Sequence, residues 1–186
     1  MYTVQTIHHT YRLAYSSTVH TCVPVRESEA AMEALLAAQS GDFTKFREVI
    51  AKLPENGMIV DNNGYSIAHW SAYYDDIDIF QLQVEAYPQQ IAMITNGGLS
   101  PLHISALCNS KRILRYILRH KPGIIDLRTR FGETALHLAA SVGNCDIVQE
   151  LVDAGANCES ADQWQRTPYQ VYVLCSMKTV YYECPI

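Results

Sequence analysis

Gly64-Tyr-Ser-Ile-Ala-His69, Gly98-Leu-Ser-Pro-Leu-His103 and Gly132-Glu-Thr-Ala-Leu-His137 state one phrase three times, 34 residues apart. Self-similarity at such a period marks a stack of supersecondary units. Each unit of a stack buries its apolar face only against its neighbours, so the assembly offers an extended surface and no enclosed pocket. The expected fold is an all-α solenoid of helix–turn–helix units.

Working outward from these phrases, each unit opens on a polar turn: Asp61-Asn-Asn-Gly64, Thr95-Asn-Gly-Gly98 or Thr129-Arg-Phe-Gly132. The glycine suits a turn that needs positive φ. Ser66, Ser100 and Thr134 can each cap a short helix through the hydroxyl. Pro101 fits a first helical turn, where its missing N–H costs nothing. Small residues follow (Ala68 and Ala72, Ser105 and Ala106, Ala139 and Ala140) and let neighbouring helices approach. A second, longer helix carries Ile79, Phe80 and Val84, then Ile113, Leu114, Ile117 and Leu118, then Ile147, Val148, Leu151 and Val152. Those spacings give one apolar stripe per helix.

Upstream, Met32, Leu35, Leu36 and Ala38 and then Phe43, Phe46, Val49, Ile50 and Leu53 keep helical spacing without the Gly…His phrase. That suits an N-terminal capping unit. Downstream, Asp162-Gln-Trp-Gln165 and Thr167-Pro168 begin a fourth unit, with Gln165 at the glycine position and Gln170 at the histidine position. Val171 to Tyr182 lean toward strand chemistry. The expected organisation is therefore an arm at 1–28, poorly ordered or docked as a strand, and a repeat domain at 29–172. The domain divides into a cap at 29–60, repeats at 61–94, 95–128 and 129–161, and a partial unit at 162–172. An atypical tail follows at 173–186.

These units resemble the ankyrin repeat, whose units open D-x-x-G-x-T-P-L-H-x-A-A and combine a β-turn with two helices over a period of about 33 residues. The third unit matches best, with Gly132-Glu-Thr-Ala-Leu-His-Leu-Ala-Ala140, Gly143 and Gly155-Ala-Asn157. Counting the cap, the likeness covers roughly residues 30 to 172. It implies that His69, His103 and His137, with Gly64, Gly98 and Gly132, are scaffold that ties one unit to the next. It also implies that turn tips and the solvent side of each first helix form a concave face for partners. Carried over by position, that face comprises Asn62, Asn63, Tyr65, Tyr73, Tyr74, Leu99, Arg130, Phe131, Glu133, Trp164 and Arg166. Tyr, Trp and Arg carry most interface energy. The structural alternative is that Tyr73, Tyr74 and Trp164 pack on the atypical ends.

Chemistry is less well served. The three histidines lie one unit apart, about 10 Å, too far for a shared metal held at about 2 Å. No phosphate loop, zinc-ligand spacing or hydrolase motif occurs. The six cysteines are scattered, and Cys145 alone suggests a partly exposed thiol. Neither enzyme activity nor a cofactor or metal is expected. The N-terminus lacks a secretory pattern, which with scattered cysteines points to an intracellular protein, cytoplasmic or nuclear. No apolar run reaches the ~20 residues of a membrane span.

Charge is segregated. No Lys or Arg falls between Lys52 and Lys111, whereas residues 111–130 hold seven of the 14 cations. Lys111, Arg115 and Arg119, with Arg112 beside them, form a stripe on one side of a second helix. Its plain reading is a solvated helix face, and its functional reading is a weak site for acidic protein segments or anionic headgroups. Nucleic acid is not expected, because the net charge is -5 and no aromatic alternates along the stripe. The functional expectation is a non-enzymatic interaction module with protein partners. The alternative is a regulatory or substrate-recruiting piece of a larger enzyme, ubiquitin-ligase adaptor or channel.

Overall fold

A computed structural model describes residues 60–182 and 42–50, together with Glu33, Leu36, Ala37 and Ser40. The expected arm at 1–28 and most of the expected cap lie outside the described residues. Of the cap, helix α1 (Phe43–Ile50) is seen, and it buries Phe46 and Val49.

Three units follow with the same plan. Unit one is α2 (Ile67–Tyr74), α3 (Ile77–Ala86) and a short 3-10 turn. Unit two is α4 (Pro101–Cys108), α5 (Lys111–His120) and a second 3-10 turn. Unit three is α6 (Ala135–Val142) and α7 (Cys145–Asp153). The first helices α2, α4 and α6 pack in succession, and each second helix lies against its own first helix. The first helices are sandwiched, so they bury almost every residue, which is why they are rich in Ala and Ser. Each ends where a residue turns into the left-handed region: Asp75, Asn109 and Gly143, at φ of 55°, 60° and 73°. Asn and Gly tolerate that conformation, and the helix stops there.

Unit four departs from the expectation of a strand-like tail. Residues Pro168–Tyr182 form one helix, α8, which packs on α6. The expected division between 172 and 173 therefore falls inside a helix. Two physical causes stand out. Pro168, Val171 and Cys175 recur at helical spacing, with Pro168 and Val171 buried and Cys175 half-buried. In addition, the position that ends the other first helices is here Ser176, a residue that does not readily enter the left-handed region, so the helix runs on. Tertiary packing thus overrides the β-leaning composition.

One core position breaks the apolar rule. Gln83 is buried in α3 at a site where the other second helices carry Ile117 and Leu151. Gln90 answers it: Gln90 Nε2 donates to Gln83 Oε1 (3.2 Å), and Gln90 Oε1 accepts from the Ala68 N–H (3.4 Å). The buried amides satisfy one another, as burial requires.

Candidate functional site

The turns that carry the tips are built alike. In unit one the Gly64 N–H donates to the Asp61 carbonyl (2.8 Å), and Asp61 Oδ1 accepts from the Asn63 and Tyr65 N–H groups (2.9 and 2.8 Å). Asp162 does the same in unit four for Trp164 and Arg166 (2.8 and 2.9 Å). Thr95 and Thr129 substitute a hydroxyl. Successive turns are laced together. The Asn96 N–H donates to Asn63 (2.9 Å), that of Arg130 to Gly97 (3.3 Å) and that of Gln163 to Phe131 (2.9 Å).

The histidines tie the same seam from beneath. The Ser66 N–H donates to His69 Nδ1 (3.1 Å), which leaves the proton on Nε2 for the Leu99 carbonyl (3.0 Å). His103 repeats this with Ser100 and Leu127, and His137 with Thr134 and Arg166. Burial holds the His69 and His103 rings far below the ordinary histidine range, at about 4 each. The His69 and His103 rings are thus neutral donors to a backbone carbonyl further along the chain. No group of three or more His, Cys, Asp or Glu that could hold a metal occurs among the described residues. Burial also pushes the Cys108 thiol up to about 12, so it is not a ready nucleophile. Cys145 is exposed.

The expected concave face divides in two. Asn62, Tyr74, Arg130 and Trp164 are exposed, and Asn63, Tyr73, Phe131 and Arg166 are half-buried. Tyr65, Leu99 and Glu133 are buried, at 7%, 2% and 7% exposure, and are corrected to scaffold. Each follows the turn glycine and is covered in its unit. Arg166 holds the same position in unit four, where no further unit is described, and stays half-open.

Two aromatic clusters remain. In unit one, a tilted contact joins Tyr65 to Trp70, and edge contacts join Trp70 to Tyr73 and Tyr73 to Tyr74 (centroids 5.4, 6.0 and 4.8 Å). In units three and four, Phe131 stacks on Trp164 (5.8 Å), and the Arg166 guanidinium lies 4.4 Å from the centre of the same indole. Arg166 also grips the buried Asp162 carboxylate (2.6 Å). Burial alone would raise the pKa of Asp162, but hydrogen bonds from the Arg166 side chain and the turn N–H groups hold it below the usual carboxylate range.

Sequence reasoning missed the neighbouring surface of α8. Tyr169, Gln170, Val173 and Leu174 join Arg166 around an open cleft of about 430 Å³. The signal was present in Tyr169 and Val173, an i, i+4 pair.

The basic stripe is largely spent. Lys111 pairs with Asp146, and Arg115 makes a two-pronged pair with Glu150 (2.9 and 2.6 Å). Arg112 and Arg119 are exposed. The pairs link α5 to α7, so the stripe is an inter-unit clasp more than a free anion site. Both pairs are solvent-exposed, and such pairs stabilise little. Arg115→Ala and Glu150→Ala should therefore each lower the melting temperature slightly, and the double variant no more than either alone. Additive losses would show that the two side chains act separately.

A search of curated proteins finds no match to this chain. A family model described as ankyrin repeats (3 copies) matches residues 69–162, which is 94 of the 186 residues. With turns, paired helices and histidine ties recurring in register over that span, the chain belongs to the ankyrin repeat family.

Proposed function

We propose that this chain is a non-enzymatic module that grips a protein partner on its concave face, between the turn tips and the first helices. Ankyrin repeats are generally protein–protein interaction modules. The observation that carries the reading here is the exposure of two large aromatics at positions that the resemblance assigns to that face, Tyr74 at 40% and Trp164 at 54%. Neither is needed to close the core, and rigid aromatics with a polar handle are the side chains that anchor interfaces. No helix among the described residues is long and apolar enough to cross a membrane.

The test is a double variant, Tyr74→Ala with Trp164→Ala, in the full chain. Capture of the main partner should fall at least tenfold, because each truncated anchor costs about 2 kcal/mol. The far-UV spectrum and thermal melt should stay near those of the parent. An unchanged capture profile would overturn the concave-face reading.

A further inference from the structure

We infer that the tips of units three and four, together with the cleft on α8, form the seat of an acidic peptide segment that carries one bulky apolar side chain. This rests on the concave-face reading and names the end of the face that does the work and the chemistry that it takes.

Three observations converge there. The first is apolar exposure: Trp164 is 54% exposed, Tyr169 73% and Leu174 46%. Tyr169 and Leu174 line, with Arg166, an open cleft of about 430 Å³, room enough for an aromatic or branched side chain, and the Trp164 indole lies against Arg166. The second is charge. Arg128, Arg130 and Arg166 cluster at these tips, and Arg130 extends from its tip into solvent. Two carboxylates of the turns themselves are withdrawn from the surface, Asp162 beneath Arg166 and Glu133 against Thr129, while Asp126 and Glu159 stay exposed in the connecting segments. The third is the closure of the turn ladder. A Cβ on Gly64, Gly98 or Gly132 would stand 2.9, 2.7 or 3.1 Å from the backbone nitrogen of the next turn. Gln165 holds that position in unit four, at φ 60°, and does carry a Cβ. A further turn would have to shift out of the common register to stack on it, which favours as occupant a segment that enters from the side over another repeat.

The opposite end does not compete for this partner. Unit one has five carboxylates among the described residues and no Lys or Arg, so it repels an acidic segment. It is also a weaker seat for a basic one. Asp61 is engaged by turn N–H groups, Asp75 by the Ile113 N–H and Asp76 by the Ile79 N–H. A second copy meeting the same tips would bring cation to cation.

The experiment is an array of 12-residue peptides probed with the full labelled chain, followed by anisotropy on the tightest binders. The array holds three sets matched around one Phe, Trp or Leu: acidic, basic and neutral. The acidic set should bind most tightly and weaken at least tenfold when the apolar residue becomes Ala. Trp164→Ala, Arg130→Glu and Leu174→Glu should each lower affinity about tenfold or more, and Arg119→Glu less than twofold. Arg166 is left intact because it neutralises a buried carboxylate, and each variant is checked by thermal melt. A preference for basic peptides lost on Tyr74→Ala would overturn the inference and leave the concave face standing. Acidic binding lost on Arg119→Glu would move the site to α5 and overturn it. Binding indifferent to both Tyr74→Ala and Trp164→Ala would remove the concave face as well. Self-association abolished by Trp164→Ala would assign the tips to a second copy instead.

Discussion

Acidification from pH 6.5 to 4 should strip about 6 kcal/mol from the stability of the fold, roughly 3 kcal/mol for each of two buried histidines. His69 and His103 are fully buried, and burial lowers the pKa of each from 6.5 to about 4. As the pH falls through 6.5, the unfolded chain takes up protons on these rings and the folded chain does not. Stability is thus fully present above 6.5, falls steadily toward 4, and stops falling on this account once the folded rings titrate. Asp162 extends the loss to lower pH, because its folded pKa is depressed, whereas Asp75, raised by burial, opposes it weakly. Urea unfolding followed by circular dichroism at several pH values measures the slope. A flat profile between 6.5 and 4.5 would refute the account. Unit four supplies a matched control. Gln170 Oε1 accepts from the Thr167 N–H (2.9 Å), the bond that the other units give to Nδ1 of histidine. His103→Gln should keep that bond, lose the titration, and leave about half of the pH dependence.

Gly98→Ala should cost on the order of 3 kcal/mol, about equally from a side chain at positive φ and from overpacking. Gly98 sits at φ 81°, and an added Cβ would lie 2.7 Å from the Arg130 backbone nitrogen. That atom belongs to the next turn and cannot yield without opening the ladder. Gln165→Gly is the reciprocal test, expected within about 1 kcal/mol of neutral, since strain relief and added chain entropy offset. If Gly98→Ala melts like the parent, the turns are not held as closely as the ladder implies.

Most of the scaffold was legible because stacking imposes a rule on every unit. A glycine, a histidine and a capping hydroxyl recur at fixed offsets since each meets the same neighbour. Legibility failed where the neighbour changes. Gln165 and Gln170 look like decay in the sequence, yet each stands where no further turn or carbonyl is described for it to meet. Tyr65, Leu99 and Glu133 share an offset with Arg166, and only the geometry separates the covered three from the half-open fourth. The ion pairs were within reach: Lys111 to Asp146 and Arg115 to Glu150 share a spacing of 35 residues. The strand-like composition of α8 hid a helix, because packing on α6, with Pro168 and Val171 buried, overrides the propensity of its residues.

The histidine ties all point one way, from each imidazole to a carbonyl 24 to 30 residues further along the chain, and this gives the array a direction in time. During synthesis the chain emerges N-terminus first. Unit one can fold its helices when they appear, but the imidazole of His69 has no acceptor until Leu99 has been made, and that of His103 none until Leu127. A turn N–H left waiting can be served by water; a buried ring cannot. Each ring is therefore locked only by chain made after it, and a ribosome stalled within unit two, short of Leu127, would hold a chain whose His103 is still unlatched.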